Sequence, residues 1–373
     1  MEITPFRVQF PESDLDDLRE RLRRTRWPDA QTVDDWTQGV PLDYLRDLCE
    51  YWWQHYDWRA AQDRLNEFPQ FRTEIDGLGI HFLHARSPRP DALPVVLTHG
   101  WPGSVLEFLK VVGPLTDPPN AADAFHVVCP SLPGFGFGDR PTERGWSVRR
   151  VARAWMELMA RLGYERYGAV GGDWGSTITT IIGQQDCEHL AGIHLLPPLV
   201  APDPATMNDL TDQERAALAD LKATGESGTG FAAQMSTRPQ TLGYGLADSP
   251  AGLCAWLVEK LVTWSGSTLT RDEILDNVTL YWLTGTAVSA ARLHWESFGD
   301  VRAALAPGAD TVSVATGCSI FPHETVRPSR RWAEQRFLDI RYWNEAARGG
   351  HFAAWEEPAL FADEVRAFFR LVR

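Results

Sequence analysis

Asp173 stands between Gly171 and Gly175, two residues away on each side, in Tyr167-Gly168-Ala169-Val170-Gly171-Gly172-Asp173-Trp174-Gly175-Ser176. That is the spacing of a nucleophile elbow, a sharp strand-to-helix turn that holds one side chain above a sheet. Glycines flank such a turn because backbone packs on backbone and leaves no room for a β-carbon. Here the nucleophile slot holds a carboxylate, where a hydroxyl or thiol is more usual. A carboxylate attacks saturated carbon and forms an alkyl ester, so the chemistry it suits is epoxide opening or carbon–halogen cleavage. Gly-x-Asp-x-Gly is a loose pattern, and Asp173 could instead simply cap the helix that begins at Trp174.

Two further segments bear on that choice. Val95-Val96-Leu97-Thr98 reads as an apolar strand running into His99-Gly100-Trp101-Pro102-Gly103-Ser104, with a helical stretch over 105–112. In a hydrolase of this architecture, the loop after this strand supplies one backbone N–H of the oxyanion hole and the residue after the nucleophile supplies the other. These would be Trp101 and Trp174. Pro102 removes one donor and fixes the turn, for which a cis Trp101–Pro102 bond is suitable. Near the chain end, His351 lies in Arg348-Gly349-Gly350-His351-Phe352-Ala353-Ala354, between a strand-like 340–343 and a helical 358–371. That is the place for the general base. Its acid should follow a late strand; residues 310–316 read as that strand and Glu324 follows it. The order nucleophile Asp173, acid Glu324, base His351 fits the fold. Asp339, Glu345 and Glu356 compete, but Asp339 precedes a strand and the other two are less suitably placed around His351.

Taken with Ser236-Thr237-Arg238-Pro239-Gln240-Thr241 and Asn277-Val278-Thr279-Leu280-Tyr281-Trp282-Leu283-Thr284-Gly285-Thr286, these segments resemble, along nearly the whole chain, the microsomal-type epoxide hydrolases of the α/β-hydrolase superfamily. The resemblance implies a doubly wound, mostly parallel sheet with a helical cap insertion and an N-terminal wrapping arm. It implies opening of an apolar epoxide to a vicinal diol through a covalent ester, without metal or organic cofactor. It also implies two cap tyrosines whose hydroxyls hold and protonate the epoxide oxygen, and here the chain departs from the pattern. Alignment by eye puts Phe231 in the first position and His294 in the second. An imidazolium is a competent acid near neutral pH, so His294 could serve, aided by Tyr244 or Tyr281. Phe231, Tyr244, Tyr281 and Trp295 are the expected pocket residues. Alternatively the same machinery serves a reaction whose leaving group needs no proton, such as dehalogenation, with indole N–H groups of Trp174 and Trp295 meeting the halide, or serves a cyclisation or rearrangement in a biosynthetic route. A binding protein without turnover is the third reading, opposed by the completeness of the reacting set.

The elements that must position these groups divide the chain into an arm over 1–88, a first half of the hydrolase core over 89–197, a helical cap over 198–300 and a second half over 301–373. The arm shows helical stretches at 12–24 and 42–56, a hairpin around Asp76-Gly77-Leu78-Gly79, and tryptophans (Trp27, Trp36, Trp52, Trp53, Trp58) expected to pack it on the body. The cap has helical stretches near 213–224, 250–264 and 271–284 and an apolar, aromatic composition suited to an apolar ligand. A net charge of −14 over 373 residues argues against nucleic acid or an anionic membrane as partner. Cys49, Cys129, Cys187, Cys254 and Cys318 are odd in number and lack metal spacing, which suits reduced thiols in a cytoplasmic protein. The first 26 residues are charged throughout, so no signal or membrane anchor is expected there. A monomer or homodimer is expected.

Overall fold

The computed structural model describes residues 2–266, 269–306 and 308–373. Nine strands form one sheet: β1 (Thr4–Phe6), β2 (Gln70–Ile75), β3 (Leu78–Ala85), β4 (Leu93–Thr98), β5 (Phe125–Pro130), β6 (Tyr167–Gly172), β7 (Leu190–Leu196), β8 (Thr316–Ile320) and β9 (Ile340–Glu345). Their order across it is β1-β2-β3-β5-β4-β6-β7-β8-β9. The first three strands and the β3–β5 pair are antiparallel, and the rest run parallel. Strands β5 to β8 are short apolar runs buried on both faces, as strands of a parallel sheet covered by helices must be. The β2–β3 hairpin turns at Asp76-Gly77, both with positive φ (54° and 75°), the backbone that a two-residue hairpin needs. After β4 the chain moves to β5 on one side, then returns to β6 on the other. The crevice at the carboxyl ends of β4 and β6 is therefore the switch point where an α/β sheet binds ligands.

Helices α1 (Glu12–Arg23), α2 (Leu42–Gln54) and α3 (Trp58–Asn66) precede β2; α4 (Leu109–Thr116), α5 (Val148–Arg161) and α6 (Trp174–Gln185) alternate with the parallel strands. Between β7 and β8 come α7 (Asp212–Ala223), α8 (Gly230–Thr237), α9 (Pro239–Asp248), α10 (Pro250–Thr263), α11 (Arg271–Thr284) and α12 (Ala287–Ala304), and α13 (Arg330–Ala333), α14 (Ala353–Glu356) and α15 (Pro358–Phe369) follow. A capping box at Thr270 starts α11, and Gly285 in the left-handed region ends it. The strand expected at 310–316 begins later. Val312 makes only an isolated bridge to Phe337, and β8 proper starts at Thr316. Within β8, the missing side chain of Gly317 lets the Phe368 ring pack directly on the strand.

The arm grips the cap. The Trp52 indole donates to the Thr279 hydroxyl (2.9 Å) and the Tyr56 hydroxyl to Asp276 (2.7 Å), both on α11. Trp52 and Trp58 are buried, and Trp27, Trp36 and Trp53 are half-buried against the main core cluster while also touching Arg46, Tyr44 and Arg23. Among the described residues no helix is long and apolar enough to cross a membrane.

Candidate active site

Asp173 sits at the tip of the turn from β6 into α6 with φ 52° and ψ −125°, a backbone that L-residues adopt only at a cost of about 1–3 kcal/mol. The flanking glycines have the reason the spacing suggested. A β-carbon on Gly171 would overlap the Gly175 backbone, and one on Gly175 would overlap the Thr98 carbonyl of β4. The Asp173 side chain makes no capping hydrogen bond to α6. Instead its Oδ1 accepts the Trp101 backbone N–H at 2.8 Å, and the Trp174 N–H bonds the same carboxylate. The two backbone donors expected to form an oxyanion hole thus converge on the elbow carboxylate.

The Trp101 loop is built to hold that amide in place. The Trp101–Pro102 bond is cis. Buried His99 donates from Nδ1 to the Gly100 carbonyl (3.0 Å) and accepts the Leu132 N–H at Nε2 (3.2 Å). From α11, the Asn277 amide donates to the Pro102 carbonyl (2.8 Å) and the Tyr281 hydroxyl to the Gly103 carbonyl (2.8 Å). Tyr281 is consequently not a pocket residue: it is fully buried behind the loop with its proton already committed. The arm clamps α11, α11 clamps the loop, and the loop aims its N–H at Asp173.

On the other side, His351 Nε2 lies 3.7 Å from Asp173 Oδ2, and His351 Nδ1 donates to Glu324 Oε1 at 2.8 Å. Glu324 Oε1 also accepts the Thr325 N–H (2.7 Å), which fixes its rotamer. The three groups proposed from chain order are therefore in mutual reach. Asp339 pairs with surface Arg341, and Glu345 is exposed at the end of β9. Burial pulls His351 toward its neutral form, but the charge and hydrogen bond of Glu324, then the charges of Asp173 and Glu107, outweigh it and raise it to about 9. Burial raises the Asp173 carboxyl, opposed by the His351 charge and the two tryptophan amides. At neutral pH His351 is therefore an imidazolium, set between the side chains of Glu324 and Asp173.

Glu107 was not singled out from the sequence. It lies at the start of the helical stretch after the Trp101 loop, buried, and lines a cavity of about 30 Å³ together with Asp173, His351, Gly172 and Leu196. Its carboxyl fills the space a Gly103 side chain would need, and the Ser104 N–H bonds it. Burial, against the His351 charge and with the Asp173 charge, raises it to about 8. The available signal was a lone acid in the apolar run Val105-Leu106-Glu107-Phe108-Leu109.

Facing Asp173 from the cap is a pocket of about 250 Å³, lined by Trp174, Phe231, Trp264, His294, Phe298 and Val301 among others. Phe231 stacks on Trp101 (centroids 5.1 Å, 9° between planes), and His294 meets Trp174 edge-on at 4.8 Å. No tyrosine is among the lining residues. Tyr244 is 71% exposed on α9 and takes no part. Trp295 is also outside. It follows His294 on α12 and so points about 100° around the helix, where it covers Arg144 at a separate cavity with Arg238 and Pro239. His294 does reach the pocket, but as a neutral ring: burial lowers it to about 3, so the imidazolium expected from its ordinary value is not its resting form. Among the described residues its buried Nδ1 has no well-formed hydrogen bond, and the Ala290 backbone one turn back is the influence that opposes burial.

The switch-point elbow and a helical insertion after β7 define an α/β-hydrolase with an acidic nucleophile slot. Accordingly, a family model described as alpha/beta hydrolase fold matches residues 94–241, and one described as Epoxide hydrolase N terminus matches residues 3–108. A Stigmatella aurantiaca protein given an epoxide hydrolase name is 52% identical, over 100% of this chain and 86% of its own length. Epoxide hydrolase 1 of Sus scrofa is 34% identical, over 99% and 89%. Among solved structures, the Aspergillus niger epoxide hydrolase superposes with a TM-score of 0.92 at 32% identity, covering 100% of this chain and 97% of that one. The juvenile hormone epoxide hydrolase of the silkworm Bombyx mori gives 0.92 at 30%, covering 99% and 95%. The chain belongs to the epoxide hydrolase family.

Proposed function

We propose that this protein hydrolyses an apolar epoxide to a vicinal diol through an ester on Asp173. The observation that carries this reading is the strained elbow carboxylate, uncapped, receiving two backbone amides and facing both an apolar pocket and a His–Glu pair. The named relatives are epoxide hydrolases, which favours ring opening over dehalogenation or rearrangement.

In the first step Asp173 Oδ2, the oxygen toward His351, attacks an epoxide carbon held against Phe231 and Trp264. The C–O bond breaks, and the departing oxygen takes a hydrogen bond from the neutral His294 ring and a proton from water at the pocket mouth, whose hydroxide takes up the proton that His351 then releases. Ester formation consumes the Asp173 charge. That removes one of the influences raising His351, which then releases its proton and becomes a base. The small cavity shared by Glu107 and His351, about 30 Å³, is large enough to hold a water and is edged by polar groups. We place the attacking water there. His351 removes its proton, the oxygen adds to the ester carbonyl carbon, and the Trp101 and Trp174 amides hold the resulting oxyanion. The oxyanion collapses and the ester C–O bond breaks; the His351 imidazolium, stabilised by Glu324, gives its proton to the departing oxygen, the diol leaves, and the new Asp173 carboxyl passes its proton to His351. These steps call on side chains and water alone.

The test is a turnover with enzyme in excess over an aryl epoxide in ¹⁸O-water. The ester route gives an unlabelled diol in this first turnover, because its new oxygen comes from Asp173, and leaves ¹⁸O in the Asp173 peptide. A diol labelled in the first turnover would show direct attack by water.

A further inference from the structure

The chain has only three lysines; two have side chains 42% and 78% exposed, whereas Lys260 on α10 is 7% exposed. Its ammonium sits over two aromatic rings of the pocket wall, 4.9 Å from the centroid of Phe231 and 5.6 Å from that of Trp264. Those rings connect it to the reacting groups. Phe231 stacks on Trp101, whose amide holds Asp173, and the Trp264 ring meets His351 at 4.8 Å. The main chain follows the same route, since the Trp264 carbonyl accepts the His351 N–H (3.1 Å). A buried charge is expensive unless it is paired, and the partner of Lys260 among the described residues is its half-buried neighbour Glu259.

Ring opening puts negative charge on the departing oxygen. The residues lining the pocket include no lysine or arginine, and the cap-side polar ring, His294, is neutral. We propose that Lys260 is a positioning residue for ring opening. It orders the Phe231–Trp264 wall through its cation–π contacts and, from behind that largely apolar wall, directs positive charge at the oxygen that leaves. The inference rests on the covalent-ester reading above. The counterion does not cancel the effect symmetrically. Glu259 pairs with Lys260 at 2.5 Å but is itself 33% exposed, so water screens the carboxylate more than the ammonium.

The experiment measures the two half-reactions separately, by rapid-quench intact mass with styrene oxide, in the wild-type enzyme and in Lys260→Met, Lys260→Arg and Glu259→Gln. Covalent adduct is read first; its absence from the wild type and from His351→Gln alike would overturn the ester reading and the role of Lys260 with it, whereas the outcomes below overturn the role of Lys260 alone. With adduct present, Lys260→Met should slow its formation at least tenfold and leave its hydrolysis within twofold, while Lys260→Arg restores most of the rate. Glu259→Gln should form the adduct as fast as wild type or faster. Ring substituents that make the departing oxygen more acidic should shrink the Lys260→Met defect, which a merely structural role would not do. Equal loss in both half-reactions, an unchanged rate in Lys260→Met, or slowing by Glu259→Gln would each overturn the proposal. Should Lys260→Met not fold, the Glu259→Gln result decides alone.

Discussion

Replacing Glu324 by Gln keeps the shape of the His351 partner and deletes its charge. In the structure the pair is close and dry, with Nδ1 to Oε1 at 2.8 Å and side chains 8% and 4% exposed. Burial acts on His351 toward neutrality, and Glu324 is the foremost influence against it, so His351 stands at about 9 where 6.5 is ordinary. At about 1.4 kcal/mol per pKa unit, the raised value represents about 3 kcal/mol of preference for the imidazolium. Without the Glu324 charge, burial prevails and His351 falls below its ordinary value. The imidazolium that forms as water attacks the ester then loses between about half and all of that preference, a slowing of ester hydrolysis of roughly 10- to 150-fold. Ring opening should change less, because the Trp101 and Trp174 amides still hold Asp173. Stopped-flow tryptophan fluorescence can follow both steps, since Trp101, Trp174 and Trp264 surround the ester. In Glu324→Gln the ester should accumulate and decay slowly. The decay rate rises with pH as His351 loses its proton, and its inflection should move to lower pH than in the wild type. An unmoved inflection, or equal slowing of both phases, would refute the assignment of Glu324 as the partner that makes His351 basic.

Three other outcomes are expected. His294→Phe removes the cap-side N–H and should slow ester formation at least tenfold, with hydrolysis of the formed ester within a few-fold, measured by the same two phases; slowing of hydrolysis alone would contradict its placement beside the departing oxygen. Glu107 at about 8 is protonated at pH 6.5, so Glu107→Gln should hydrolyse the ester within about threefold of wild type there, while Glu107→Leu, which cannot hold the water, should be slower by more than about tenfold, each loss of tenfold being about 1.4 kcal/mol. Stability should fall on acidification: His81, His194 and His294 lie at about 3 and His99 at about 4 because of burial. The unfolded chain takes up their protons first, so each costs about 2 kcal/mol between pH 7 and 5, more in sum than the roughly 3 kcal/mol that raised Glu107 returns over the same range. Urea melts that show constant or rising stability from pH 7 to 5 would contradict this.

The parts of the site legible in the sequence were those written in consecutive residues. An elbow, a Gly/Pro loop after a strand and a glycine-flanked histidine each need particular residue types at adjoining positions, so Asp173, Trp101, Trp174 and His351 could be read directly. Glu324 was legible from chain order even though the strand before it began at Thr316 and not near 310. The cap was less legible, because a one-residue error on a helix turns a side chain about 100°. His294 faces Asp173 while its neighbour Trp295 faces Arg144, and nothing in their spacing distinguishes them. Tyr281 was taken for a pocket hydroxyl because its type suited the missing donor, yet its position on α11 spends it on the Gly103 carbonyl. Glu107 and Lys260 escaped for a common reason. A charged residue inside an apolar helix reads as its solvent face, and only the packed structure shows Glu107 buried beside Asp173 and His351 and Lys260 buried behind the pocket wall.

The central claim is that Asp173 becomes alkylated by the whole epoxide. Intact-protein mass of His351→Gln after mixing with aryl, alkyl and polycyclic epoxides tests it most directly, with Asp173→Asn as control. The account predicts an adduct of the full epoxide mass, mapped to the Asp173 peptide, persistent in His351→Gln and absent from Asp173→Asn. Folded His351→Gln that turns over none of the panel's epoxides into adduct while the wild-type enzyme still yields diol, or an equal adduct in Asp173→Asn, would contradict it.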